Sequence, residues 1–200
     1  MGNELNSEWY DEVFRHGGSE QIYFLKYDET PWYPIWKKIA ARIKELGSTK
    51  ILDIGCGPGQ FADCLLNEIG LVSYVGIDFS SAAISFAEEL SLPVSFVVAD
   101  ATDYDYSQIE YDVVVTTEFL EHIHDDLGVL SKISKGSVIL ATLPNMDSEG
   151  HVRFLSKDVK EAILEIEERY SDLCEIVSIQ HFPYELNPEN ADFLIEMIRR

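Results

Sequence analysis

From residue 50 onward, short runs dense in Val, Ile and Leu alternate with stretches whose apolar residues recur every three or four positions. The runs Lys50–Ile54, Ser73–Asp78, Val94–Ala99, Tyr111–Thr116 and Ser137–Thr142 are nearly continuous in apolar residues, the pattern of parallel strands covered on both faces. Between them Phe61–Ile69, Ala82–Leu90 and Asp125–Ser134 read as crossover helices, the second capped by Ser80 or Ser81. Farther on, a cap at Ser156 predicts a long helix to about Tyr170 that buries Val159, Ile163 and Ile166. Two strands follow, near Cys174–Gln180 and Ala191–Ile198. Their connection, HFPYELNPEN, contains no helix, a link that antiparallel neighbours accept and parallel ones do not. The expected fold is α/β: a doubly wound, seven-stranded, mostly parallel sheet with an antiparallel C-terminal hairpin at one edge.

Residues 1–49 read as a segment apart from this 50–200 α/β domain. Trp32–Leu46 is amphipathic, with Trp32, Ile35, Trp36, Ile39 and Ile43 on one stripe. The stretch from Trp9 to Tyr33 is aromatic-rich and breaks at Gly17-Gly18 and Pro31. Those aromatics either pack onto the sheet or form a lid over a site, with Tyr10, Tyr23, Tyr27 and Tyr33 in it.

Composition narrows the partners. Apolar residues are 46% and aromatics 12% of the 200 residues, enough for a proper core, while the net charge is −21. Residues 51–150 hold 17 acids against two bases, Lys132 and Lys135. Such a surface repels polyphosphates and anionic membranes, so nucleic acid and membrane partners are disfavoured and a small-molecule substrate is expected. Cys56, Cys64 and Cys174 are scattered, indicating neither a disulfide framework nor a thiolate zinc site. A reducing cytoplasmic setting is expected, because the polar, acidic N-terminus is unlike a targeting peptide and no apolar run approaches a membrane span.

The strongest local signal is Ile51-Leu-Asp-Ile-Gly-Cys-Gly-Pro-Gly-Gln-Phe61, a buried strand that enters three alternate glycines and then a helix. Gly55, Gly57 and Gly59 tolerate positive φ and let a ligand lie against bare backbone, with the N–H groups of the helix start behind them. Asp53 sits at the strand end. Asp78 ends the next strand, where an acid can accept both hydroxyls of a ribose. Asp100 ends the third, where a carboxylate can take an exocyclic amine.

These segments, LDIGCGPGQF, YVGIDFS, the VVAD of residues 97–100 and YDVVVTTEFLEHI, resemble in order and spacing the motifs of class I S-adenosylmethionine-dependent methyltransferases. The resemblance covers about residues 48–170. It implies that Asp53, Gly55 and Gly57, with Gly59, hold the methionine end of S-adenosylmethionine, and that Asp78 takes the ribose. Asp100 and Ala101 would meet the adenine edge and Phe79 one adenine face, with Thr117 also in the cofactor set. Many members of the family place an arginine ahead of the glycine loop to pair with the cofactor carboxylate. The candidates here are Arg15, Lys26, Lys37, Lys38, Arg42 and Lys44. Since those from 37 on lie in the expected helix, Arg15, Lys26 or a tyrosine hydroxyl would take that part.

After the fourth strand, Glu118, Glu121 and His122 stand within one helical turn, and His151 follows Leu143-Pro-Asn145. Two carboxylates with two imidazoles can bind Mn²⁺, Mg²⁺, Fe²⁺ or Zn²⁺. Alternatively Glu121 and His122 merely cap a helix. The order E-x-x-E-H, P-N, H-x-x-x-x-S is similar to metal-dependent ubiquinone-biosynthesis O-methyltransferases and small-RNA terminal 2′-O-methyltransferases. That resemblance implies Glu118, Glu121, His122 and His151 as metal ligands, Mn²⁺ or Mg²⁺ being favoured. Catalysis would use His122 or His151 as a general base, or the metal in place of a separate base. The expected reaction is methyl transfer to a hydroxyl of a metabolite, sugar or secondary-metabolite intermediate. The alternatives are N-methylation of a small amine and a non-catalytic methyltransferase-like binding protein. His16 and His124 read as surface residues; Tyr23, Tyr27 and His181 are candidate substrate contacts.

Overall fold

The computed structural model describes residues 3–70 and 72–200, so residues 1 and 2 of the expected N-terminal segment lie outside the described residues. Among the described residues, seven strands form one sheet in the order β3-β2-β1-β4-β5-β7-β6. The strands are β1 Lys50–Ile54, β2 Ser73–Asp78, β3 Ser95–Val98, β4 Val113–Thr116, β5 Val138–Pro144, β6 Cys174–Pro183 and β7 Ala191–Arg199. β1 pairs with β2, and β2 with β3, in parallel. β7 runs antiparallel to both β5 and β6, the edge hairpin that its helix-free connection predicts. Among the described residues no helix is long and apolar enough to cross a membrane.

The chain divides into two compact units. One, Leu5–Tyr104 with Ile109–Val113, carries β1–β3 and the helices α1 Ser7–Arg15, α2 Tyr33–Leu46, α3 Gln60–Ile69 and α4 Ser81–Glu89. β1 is covered as its apolar run requires, with Ile51, Leu52 and Ile54 fully or almost fully buried. β3, at the edge of the sheet, is not: none of its residues is buried and Val98 is 53% exposed, which corrects the expectation of a strand covered on both faces. α2 starts with a proline in its first turn, where a missing N–H costs nothing, and ends at Gly47 in the left-handed conformation. Its Ile35, Trp36, Ile39, Ala40 and Ile43 are buried, the stripe the sequence predicts. The N-terminal aromatics form a chain of ring contacts, Tyr10–Phe14–Tyr23–Trp32–Trp36.

The other unit, chiefly Val114–Arg200, carries β5–β7 with α5 Asp126–Ser131 and α6 Val159–Tyr170. Here three expectations need correction. The cap of α6 is Asp158, whose carboxylate accepts from Lys160 and Glu161 N–H, while Ser156 lies outside the helix and bonds Glu161. The buried face of α6 is Ala162, Ile166 and Tyr170. It is turned from the expected stripe because the Tyr170 hydroxyl and the Arg169 guanidinium both bind the fully buried Asp126. Finally, Glu118 and Glu121 do not share a helical face. Glu118 has φ +52°, and only Leu120–His122 winds into a single tight turn.

Candidate active site

In the first unit, β1 delivers the chain into the glycine loop, and the loop closes on its own neighbours. Gly55 and Cys56 N–H donate to the Ile77 carbonyl at 2.9 and 3.0 Å, and Gly59 N–H to Cys56 at 3.3 Å. Gly57 N–H donates to Asp78 Oδ2 at 3.0 Å. The loop thus presents bare backbone to a ligand, with these four donors already satisfied. Gly59 has a packing reason besides its φ of +81°: a Cβ there would lie 3.0 Å from the Ala87 Cβ. At Gly57 an added Cβ would meet only the Phe14 ring, at 3.8 Å, so the φ of +53° is what requires glycine.

The three expected cofactor acids differ in setting. Asp78 is buried; besides Gly57 it accepts from Ser80 N–H at 2.8 Å. Burial pushes its pKa up to about 6 against the pull of those two N–H groups. Asp53 is sealed, accepts from the Tyr74 hydroxyl, and has a second oxygen, Oδ1, buried without a partner. Burial pushes it up to about 7. Asp100 is exposed and folds back, accepting from Thr102 N–H and Oγ1 at 2.8 and 2.6 Å. Ala101 and Thr117 are buried and Phe79 is half-buried. A buried carboxylate oxygen left without a donor is costly, and the raised pKa of Asp53 goes with it.

The N-terminal segment reaches this region. Asp11 of α1 accepts from Ser80 Oγ, Ser81 Oγ and Ala82 N–H at 2.6, 3.0 and 3.0 Å, at the start of α4. Tyr10 lies 5.3 Å from Phe79, ring to ring. Tyr23 packs between Phe14 and Trp32. Tyr27 touches Tyr33, whose hydroxyl donates to Glu68 at 2.9 Å. Arg15 is already bound to Glu12 and Asp11.

In the second unit, Glu121, His122 and His151 each offer one ligand atom, all within 4.8 Å of one another. His122 Nδ1 donates to the Gly150 carbonyl at 3.2 Å and His151 Nδ1 to the Met146 carbonyl at 3.0 Å. Those carbonyls fix both tautomers and leave each Nε2 with a lone pair, the arrangement that orients metal-ligating imidazoles. Burial and then the second imidazole lower His122 to about 4; burial likewise lowers His151. Glu121 is fully buried with no hydrogen-bond partner for either oxygen. Burial, then the charge of Glu118, pushes its pKa well up. A buried carboxyl in this state is met by a proton or by a cation. Glu118 stands outside the three-residue group. Its N–H donates to Thr142 Oγ1 at 2.9 Å, and its Oε1 accepts from that hydroxyl at 2.8 Å.

Some predicted residues lie elsewhere. His181 is inside β6, exposed, against Phe193 at 5.0 Å; His16 and His124 are exposed. Asn145 pins the β6–β7 turn through Ala191 N–H and the Glu189 carbonyl. The sequence does not single out Asp192 or its partner Tyr184. Asp192 of β7 is 1% exposed; its Oδ2 accepts from the Tyr184 hydroxyl at 2.8 Å and its Oδ1 has no partner. The signal present was an acid at the head of ADFLIEMI, a strand whose other charged residue is Glu196.

Residues 51–136 match a family described as "Methyltransferase domain". The strand order and the glycine loop agree with that match. Over these residues, less than half of its length, the chain is similar to a methyltransferase domain. The chain is 27% identical over 151 residues to a ubiquinone biosynthesis O-methyltransferase of Hydrogenovibrio crunogenus, covering 70% of this chain and 58% of that protein. It is 31% identical over 110 residues to phosphoethanolamine N-methyltransferase 1 of Triticum aestivum, covering 53% of this chain and 22% of that protein. The chain therefore spans 22–58% of the length of these curated relatives, under two thirds in each case. The methyltransferase fold extends further: magnesium protoporphyrin IX methyltransferase from Synechocystis superposes with a TM-score of 0.66 at 13% identity, over 98% of this chain and 96% of that one.

Proposed function

We propose that this methyltransferase uses S-adenosylmethionine to methylate a hydroxyl of a small molecule, with a divalent cation such as Mn²⁺ or Mg²⁺ held by Glu121, His122 and His151. One observation carries the reading: three ligand atoms lie within 4.8 Å of one another around a carboxylate with two unpartnered oxygens. S-adenosylmethionine supplies a methyl group on a cationic sulfonium. Asp53 and Asp78 favour that charge over the neutral demethylated product, and Asp78 keeps lone pairs for ribose hydroxyls beyond those given to Gly57 and Ser80. Asp100 and Ala101 frame the adenine edge, with Phe79 on its face and Thr117 nearby in sequence after β4. Residues 3–49 act as a cap on the cofactor region, a role supported by the Asp11 bonds to Ser80, Ser81 and Ala82.

A divalent cation lowers the pKa of a hydroxyl it polarises and orients it for in-line attack. The imidazoles keep their Nε2 lone pairs unprotonated near neutrality. A ring as weakly basic as His122 is a better electron-pair donor than proton acceptor, which favours the ligand role over the general-base role. The acidic surface favours a neutral or cationic substrate over a polyanion.

The test is calorimetric titration with the demethylated cofactor, followed by methyl-transfer assays with and without chelator on a panel of small hydroxylated and amine compounds. O-methylation lost in chelator and restored by Mn²⁺ supports the reading. No binding of the demethylated cofactor would leave only a methyltransferase-like binding protein. A second reading, N-methylation of a small amine, is favoured by the 31% identity to a phosphoethanolamine N-methyltransferase. It predicts activity on amines that survives chelation.

A further inference from the structure

Resting on the metal-assisted reading above, we propose that Asp192, aimed by Tyr184, is a further acid of the divalent-cation site, its unpartnered Oδ1 serving as an oxygen donor to the hydrated ion. β7 register carries the case. Thr142 of β5 pairs with Leu194, and Pro144 with Asp192. Paired residues and residues two apart share one face of a sheet. Thr142 and Asp192 are therefore diagonal neighbours on the same face, and diagonal neighbours lie within reach of long side chains. Thr142 Oγ1 holds the Glu118 carboxylate at 2.8 Å, so Glu118 and Asp192 are brought together on that face. The backbone ties the same corner to the three-residue group: Val152 N–H donates to the Glu121 carbonyl at 2.8 Å and Leu155 N–H to the Pro144 carbonyl at 2.9 Å, and Pro144 is the residue paired with Asp192.

Tyr184 takes only one of the two Asp192 oxygens, at 2.8 Å. The other is buried and orphaned, as are both oxygens of Glu121. An orphaned buried carboxylate is costly unless something supplies positive charge or donors. Glu121, His122 and His151 alone form a mixed nitrogen–oxygen set. One more carboxylate oxygen, Oδ1 of Asp192, facing the hydrated ion favours hard cations that keep water ligands, Mn²⁺ or Mg²⁺, over Zn²⁺.

The experiment measures Mn²⁺ binding to the full chain by electron paramagnetic resonance, with thermal unfolding in chelator and in saturating Mn²⁺. Asp192→Asn is expected to weaken Mn²⁺ about tenfold or more, while melting no lower than wild type in chelator. Glu110→Gln, an exposed acid tied to Lys50, should leave Mn²⁺ binding unchanged. Tyr184→Phe keeps the carboxylate but loses its donor, and should weaken Mn²⁺ by about two- to fivefold. Mn²⁺ affinity within about twofold of wild type in a folded Asp192→Asn overturns the proposal. So does an equal loss of melting temperature with and without Mn²⁺, the mark of a purely structural residue. If Asp192→Asn does not fold, Tyr184→Phe decides, unchanged affinity overturning the proposal. If wild type itself binds no Mn²⁺, the metal-assisted reading falls and takes this one with it.

Discussion

Asp78 and Glu121 are both buried acids that follow an apolar strand, yet their surroundings differ in kind. Asp78 accepts two backbone N–H groups, from Gly57 and Ser80, and ties the glycine loop to the start of α4. Glu121 has neither oxygen hydrogen-bonded; His122 Nε2 lies 3.7 Å from its Oε1, and the Arg153 charge offsets little of the cost of burial. The first acid is part of the scaffold before any ligand arrives. The second is held at a cost by the fold around it. A buried acid that is internally satisfied loses stability when it is removed; an orphaned one loses function and relieves strain.

The sharpest way to break this contrast is to delete each acid in turn. Asp78→Ala leaves two buried N–H donors unpaired, each worth about 1–3 kcal/mol. Expected is a fall in stability of about 2–5 kcal/mol with loss of measurable cofactor binding, read by denaturant unfolding and calorimetry. Retained stability would mean that the loop holds itself without the acid. Glu121→Gln, by contrast, is expected to leave the melting temperature in chelator at or above that of wild type. It should also abolish the stabilisation wild type gains from Mn²⁺, about 2–3 kcal/mol at saturating metal. A large destabilisation in chelator would place Glu121 with Asp78, as scaffold.

Much of the first region was legible beforehand. β1 and β2 begin and end where their apolar runs do, and Ser80 caps α4 through Ala83 N–H as its residue type predicts. Local rules govern those features, so sequence alone reaches them. The second region resisted for a tertiary reason. Glu118 leaves the helical conformation because Thr142, 24 residues on, takes its N–H and grips its carboxylate. α6 rotates because Arg169 and Tyr170 bond Asp126, more than 40 residues away. Asp192 joins through strand register, which no local pattern encodes. Asp11 was missed likewise, since its partners lie 69 to 71 residues along the chain.

Asp53 lies between the two cases, with one oxygen bonded to Tyr74 and one unpartnered, and pH reads its intermediate status. Its pKa in the folded protein is about 7, against an ordinary value of 3.8. The native state therefore holds the proton longer than the unfolded chain. The stability this contributes is full below about pH 4 and is lost as pH rises through about 7. His122, lowered to about 4 from 6.5, acts in the opposite sense and adds stability as pH rises through that interval. The difference between wild type and Asp53→Asn cancels the histidine. Asp53→Asn is expected to gain on wild type as pH rises from about 4 to about 7, by a few kcal/mol at most, in denaturant midpoints. Parallel curves would show that Asp53 is satisfied as a charge.

The smallest effect concerns Asp11, a fully partnered acid at the surface end of the scale. Burial pushes its pKa up, but Ala82 N–H, the Ser80 and Ser81 hydroxyls and Arg15 outweigh it and hold the acid below its ordinary value. Because it joins α1 to the start of α4, Asp11→Ala removes a capping acceptor rather than a core contact. The expected cost is about 0.5–2 kcal/mol, within the range of a lost helix cap. The same change should free α1 from Ser80 and Ser81. If residues 3–49 cap the cofactor region, affinity for S-adenosylmethionine then falls several-fold while kcat with saturating cofactor stays near wild type, because no reacting group has been touched. A stability loss with cofactor affinity unchanged would make α1 a strut rather than a cap. Asp11→Asn, which keeps an acceptor for Ser80 and Ala82 while dropping the charge, should recover most of both losses. That recovery separates hydrogen bonding at the α4 terminus from the pull of a negative charge on its dipole.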